Sequence, residues 1–137
     1  MEVSEIINKA VKLGACNKSA KATDWKSLVW LFFSPQGIEF CKGNNYPSLE
    51  MFCNFKDEVR PFGVYVNEGV SAKNKDVALI GNGISDIYYN GVEKAYKVIL
   101  MHGAFAHIHA SNYAVIKVEN IGGCFEIIND GTAKVLL

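Results

Sequence analysis

Toward the C-terminus, alternate positions carry small or branched apolar side chains, and the pattern recurs in short steps. Ala104, Ala106 and Ile108 form one set, and ten residues on Ala114, Ile116 and Val118 form a second. Phe125 with Ile127, then Ala133, Val135 and Leu137, continue the rhythm less regularly. Successive side chains of a strand point to opposite faces, so each set lines one face of one strand. Alanine is a poor strand former, and its return at strand starts points to a narrow interior. The recurrence predicts a stack of near-equivalent short strands.

From Arg60 onward the apolar period is two. Strands are predicted at 63–66, 76–80, 84–89, 95–100, 104–110, 113–119, 124–128 and 133–137. Asn82-Gly83, Asn90-Gly91, Gly103, Asn112, Gly122-Gly123 and Asp130-Gly131 punctuate them. Asn-Gly and Asp-Gly pairs favour tight hairpins, which would give an antiparallel sandwich or barrel. The repeated Ala-x-apolar-x-apolar pattern instead favours a short β-solenoid or β-roll, in which inward side chains of successive coils stack in rows. The solenoid is the leading expectation. It turns Phe105, His107, His109, Lys117 and Glu119 outward.

The N-terminal part reads as short helices. Ser4 is placed to cap a helix carrying Ile6, Ile7, Ala10, Val11 and Leu13, with Gly14 as its stop. Residues 15–22 read as a loop. Thr23 or Asp24 caps a second helix, whose run Val29-Trp30-Leu31-Phe32-Phe33 is apolar on every side and is expected to be deeply buried. Ser34-Pro35 is a cap followed by a first-turn proline and starts a helix to Lys42. Pro47 opens another through Leu49, Met51, Phe52 and Cys53. The expected class is α+β: a helical region, 1–57, packed on or capping a β-rich region, 58–137. The aromatic residues of the first region read as core.

Composition narrows the partners. Fourteen basic residues balance fourteen acidic ones, and the balance holds within each region, so no basic stripe marks a nucleic-acid surface. The longest apolar run, Leu28–Phe33, is far short of the roughly 20 residues that span a bilayer. The start, Met1-Glu2-Val3-Ser4-Glu5, lacks the basic opening of a signal peptide, so a cytoplasmic location is expected. Cys16, Cys41, Cys53 and Cys124 are too widely spaced for a zinc clip and read as buried thiols.

His107-x-His109 is the sharpest chemical feature. Positions i and i+2 of a strand point the same way, so the two imidazoles are candidates to share one metal ion, with His102 close in sequence. The pair is similar to the H-x-H of cupin metalloenzymes, but the spacing departs from theirs. Only three residues separate Gly103 from His107, the next glutamate is Glu119, and no proline follows Pro61 to build a second motif. No catalytic residue and no cofactor site is assigned. Phosphate-loop, dinucleotide and nucleophile-elbow patterns are missing, and Gly81-Asn82-Gly83 and Gly122-Gly123 read as turns. Tyr88, Tyr89, Tyr96 and Tyr113 read first as cross-strand packing.

The segments Trp25…Leu31-Phe32-Phe33-Ser34-Pro35-Gln36-Gly37-Ile38-Glu39-Phe40-Cys41 and Tyr96-Lys97-Val98-Ile99-Leu100-Met101-His102-Gly103-Ala104 resemble small proteins of gut-bacterial genomes and their phages or mobile elements. The resemblance implies no activity and no functional residues. The strand rhythm is also similar to short β-solenoid segments, without the hexapeptide repeat of acyltransferases. The expectation is a non-catalytic interaction or structural module, acting as a homo-oligomer through the open β edge near Leu136-Leu137. The alternative is a small metal-binding protein or metal-dependent enzyme centred on His107 and His109.

Overall fold

The computed structural model describes residues 1–15 and 22–137, so Cys16 and most of the expected 15–22 loop lie outside the described residues. The chain divides into two compact units, Met1–Phe62 and Gly63–Leu137.

The described residues of the first unit hold five short helices: α1 (Val3–Lys12), α2 (Trp25–Phe33), α3 (Pro35–Asn44), α4 (Leu49–Asn54) and α5 (Lys56–Val59), with a 3-10 turn at Arg60–Phe62. Helix α4 is the one expected to open near Pro47, whereas α5 and the 3-10 turn were not expected. Helix α1 buries Val3, Ile6, Ile7 and Ala10 on one face, and its start differs from the expected one. Glu2 occupies the cap position and Ser4 lies inside the helix. Asp24 caps α2 in a reciprocal box with Ser27, accepting from its backbone N–H at 2.8 Å. Ser34 caps α3 ahead of Pro35, with its Oγ accepting from Gly37 N at 3.1 Å. Ser48, not Pro47, caps α4.

The apolar run of α2 is less buried than its composition suggested. Val29 is buried, but Trp30 is 74% exposed and the flanking aromatic side chains are half-buried. Phe52 joins Phe32 and Phe55 in edge and tilted ring contacts, and Phe55 also meets Trp25, so the aromatic residues do form a core. Tyr46 is buried and donates its hydroxyl to the carbonyl of Ile6 at 2.6 Å. Cys41 is buried as expected, and burial pushes its thiol up to about 12. Cys53 and Cys124 are exposed, contrary to expectation.

The second unit is a β-solenoid. Its strands are β1 (Val64–Val66), β2 (Ser71–Lys73), β3 (Val77–Ile80), β4 (Ile84–Tyr89), β5 (Ala95–Met101), β6 (Phe105–Ala110), β7 (Val115–Asn120), β8 (Cys124–Asn129) and β9 (Lys134–Leu136). Odd strands form one sheet, in the order β1-β3-β5-β7-β9, and even strands form the other, β2-β4-β6-β8. Every pairing is parallel. Val77 pairs with Val98 and Ala95 with Val115, so one full coil takes about 20 residues, the short end of solenoid repeats. The ten-residue step in the sequence is therefore half a coil, from one sheet to the other.

Stacking explains the apolar sets. Ala72, Ile87, Ile108 and Ile127 form one inward row down the even sheet. Val77, Val98 and Val118 form another down the odd sheet. Ile87, Ile108, Val77 and Val98 are fully buried. The inward alanines Ala104, Ala106, Ala110 and Ala114 are buried as well, where the coil is narrow. Leu137, by contrast, is exposed and outside this core.

The antiparallel sandwich or barrel does not form, because the Asn and Gly pairs build coil corners rather than hairpins. Asn74 and Asn112 both take left-handed backbone, φ 52°, which Asn tolerates better than most residues. Their side chains then tie one coil to the next. Asn74 Oδ1 accepts from the backbone N–H of Asn90 at 2.9 Å and of Gly91 at 3.1 Å. Asn112 Nδ2 donates to Asn90 O at 2.9 Å. These bonds satisfy corner backbone that a hairpin would have paired internally. At Gly123 the coils approach so closely that an added Cβ would lie 2.5 Å from the carbonyl oxygen of Ala104.

Candidate functional site

The outer face of the even sheet presents a grid of nine side chains in register. Its rows are Ile84, Phe105 and Cys124, then Asp86, His107 and Glu126, then Tyr88, His109 and Ile128. The strand alternation that buries Ser85, Ile87, Ala106 and Ile108 turns these nine outward. Ile84 is 67% exposed, and Tyr88 and Ile128 also stand open to solvent. The centre of the grid is polar and its flanks are apolar or aromatic.

The central row joins carboxylate, imidazole and carboxylate. Asp86 Oδ1 lies 3.3 Å from Nδ1 of His107 and 3.4 Å from Nε2 of His109. Nε2 of His107 lies 3.6 Å from Glu126 Oε2. A neutral imidazole carries one N–H, so a proton on Nδ1 of His107 and on Nε2 of His109 lets both rings donate to Asp86. Those contacts sit at or beyond the long end of the hydrogen-bond range, and both rings are about one-third exposed. Tyr88 stacks on His109 with ring centres 4.3 Å apart and planes 13° from parallel. Phe105 meets His107 edge-on at 5.1 Å. The two histidines are thus held in place by aromatic neighbours and one shared carboxylate.

Sequence reasoning placed His107 and His109 on one outward face, and the structure brings them together there. It missed Asp86, Glu126 and Tyr88, because neighbours in this fold lie a full coil apart in sequence. The coil period carries the missing signal: Asp86, His107 and Glu126 recur at the same spacing that relates Ile87, Ile108 and Ile127. His102 lies at a corner with φ 58°, preceding Gly103, and is not part of the grid. Among the described residues, no three or more His, Cys, Asp or Glu side chains are grouped in an arrangement able to hold a metal ion.

A shallow groove of about 300 Å³ opens at the C-terminal ends of β4, β6 and β8, walled by Tyr88, His109 and Ile128 with Asn129 and Asp130 at its rim. Asp130 accepts from the Thr132 hydroxyl at 2.6 Å and from its backbone N–H at 2.9 Å, which holds its carboxyl below the usual range. Beneath the groove, Tyr89 donates to Lys75 O at 2.8 Å, and burial pushes its phenol upward.

The second notable surface is the last coil. Strands β8 and β9 are the edge strands at one end of the two sheets, as β2 and β1 are at the other. Their inward side chains Phe125, Ile127, Ala133 and Val135 pack on the core but are only half-buried, whereas the equivalent Ala106, Ile108, Ala114 and Ile116 one coil earlier are fully buried. Leu136 is exposed beside them. Among the described residues no strand pairs with the outer edges of β8 and β9, and the apolar interior beneath them is partly open.

These features define a class: a small parallel β-solenoid following a helical unit, with one ordered outer face and a half-buried last coil. No protein-family model matches the sequence, and no curated protein or solved structure is significantly similar to it. Among the described residues, no helix is long and apolar enough to cross a membrane.

Proposed function

We propose that this chain is a non-catalytic interaction module that works as a homo-oligomer in the cytoplasm, joined through the strands of its last coil. The observation that carries this reading is the half-buried state of Phe125, Ile127 and Val135 beneath the outer edges of β8 and β9, with which no described strand pairs. An edge strand offers a row of N–H and C=O groups to another chain, and natural proteins blunt such edges with proline, bulges or several charges. Strand β8, Cys-Phe-Glu-Ile-Ile-Asn, has no proline and one charge. Covering this end removes apolar surface from water at about 25 cal/mol per Å² and satisfies the open backbone. Light scattering across micromolar concentrations tests the reading: an oligomer supports it, and a monomer throughout overturns it.

The grid gives a second reading, a metal-binding protein using His107 and His109. Its support is the placement of Asp86 between the two imidazoles, since two histidines and a carboxylate suit Zn²⁺ and other divalent transition metals. Glu126, near the other nitrogen of His107, sits where an outer carboxylate orients a ligating ring. A metal would have to draw these side chains closer than they stand. Elemental analysis of protein purified without a histidine tag distinguishes the readings: stoichiometric metal lost on chelation favours the second, and its absence removes it.

A further inference from the structure

Self-association through the last coil has a specific geometry, and this step rests on the interaction-module reading above. Strands alternate between the sheets, so the last coil ends as a step, with β9 half a coil beyond β8. A two-fold axis that sets β9 of one copy against β8 of the other makes the two junctions identical. An axis that sets β8 against β8 and β9 against β9 leaves one junction tight and the other gapped. Closed two-fold pairing is the commonest assembly of soluble proteins, and it uses one self-complementary surface.

We propose that a second copy of this chain closes the coil by antiparallel pairing of β8 with the partner's β9, with Glu126 opposite the partner's Lys134. Residues directly opposite in an antiparallel pair point to the same side. This register sets Phe125 opposite the partner's Val135 and Ile127 opposite the partner's Ala133. All four face the coil interior and are only half-buried in the single chain. On the outside it sets Cys124 opposite the partner's Leu136 and the acidic Glu126 opposite the basic Lys134, each exposed. Apolar side chains therefore meet apolar ones within, and opposite charges meet without. The two-fold repeats every pair. In the β8-to-β8 alternative, the register centred on this strand's only charge stacks Glu126 on its own copy, which is repulsive. The two junctions turn the separate five- and four-stranded sheets into two sheets that run continuously through both copies.

Charge reversal tests the register. Glu126→Lys alone and Lys134→Glu alone each place like charges opposite, and each is expected to raise the dimer dissociation constant about tenfold at low salt. The double variant restores the opposite pair and returns the constant to near that of the native chain. Circular dichroism checks that each variant keeps its strands. Leu136→Cys adds a readout independent of charge: mild oxidation gives a covalent dimer in which peptide mapping finds Cys124 joined to the new cysteine of the partner. A dimer indifferent to both single reversals, or one whose oxidised link joins Cys124 to Cys124, overturns this pairing while leaving self-association intact. A native chain that stays monomeric overturns both.

Discussion

Oδ1 of Asp86 lies 3.3 Å from Nδ1 of His107, one register step across the β4–β6 pair. The contact spans two coils, is long for a hydrogen bond, and is open to solvent on both sides. Exposed pairs of this kind contribute about 0–1 kcal/mol. The double variant His107→Ala/His109→Ala is therefore expected to unfold within about 1 kcal/mol of the native protein in urea. A loss of several kcal/mol would mean that the rings are structural in a way this geometry does not provide.

The inward row beneath the grid behaves differently. Ile108 is fully buried between Ile87 and Ile127. Ile108→Ala leaves a cavity in a row the coil cannot easily close, with an expected loss of about 2–5 kcal/mol. Ile128, on the neighbouring strand β8 opposite His109 and 45% exposed on the outer face, should lose far less when cut to alanine. Equal losses at the two sites, read by denaturant midpoints, would contradict the assignment of inward and outward faces.

Two glycines separate close coil packing from open surface. A Cβ at Gly123 would press on the carbonyl of Ala104 at 2.5 Å, whereas a Cβ at Gly43 in α3 meets nothing within 4 Å. Gly123→Ala is expected to cost about 1–3 kcal/mol through forced backbone movement. Gly43→Ala should stabilise by about 0.5–1 kcal/mol, because alanine is the better helix former. Thermal melts of the two single variants should shift in opposite directions.

Asp24 carries a pH signature. Its hydrogen bonds from the Ser27 hydroxyl and backbone N–H hold its carboxyl below the ordinary range. A carboxyl lowered on folding contributes stability that is fully present above its unfolded pKa, about 4, and is lost as pH falls through the lower folded value. Asp24→Asn keeps a capping oxygen but does not titrate. The melting-temperature advantage of the native chain over this variant should hold from pH 7 to about 5 and shrink below about 4. An advantage unchanged down to pH 2 would remove the charged cap from the account.

The fold was legible where one residue type answers to one local rule. Ala104 to Ile108 and Ala114 to Val118 announced inward rows, and their strands formed close to the expected positions. Ser34-Pro35 and Asp24 marked helix starts through their capping oxygens. Strand β2, Ser-Ala-Lys, gave no signal, since only Ala72 faces inward and the flanking residues are polar. Trp30 misled because a uniformly apolar run does not say which side meets water. Asn90-Gly91 read equally well as a hairpin and as a corner. The choice between them lay in Asn74, sixteen residues earlier, whose side chain holds that corner from the preceding coil. The candidate site was half legible for the same reason. His107 and His109 share a strand and could be paired by local spacing, while Asp86 and Glu126 reach them only through the stacking of whole coils.

The measurement that bears most directly on the account is the mass of the untagged chain in solution, followed by light scattering from low to high micromolar concentration. The chain has a mass of 15.1 kDa. Closure of the last coil by a second copy predicts a species of twice that mass that dissociates on dilution, and that Ile127→Lys, which puts a charge into the half-buried interior of β8, reduces to the single chain. A native protein that remains at the mass of one chain across the whole range would contradict it.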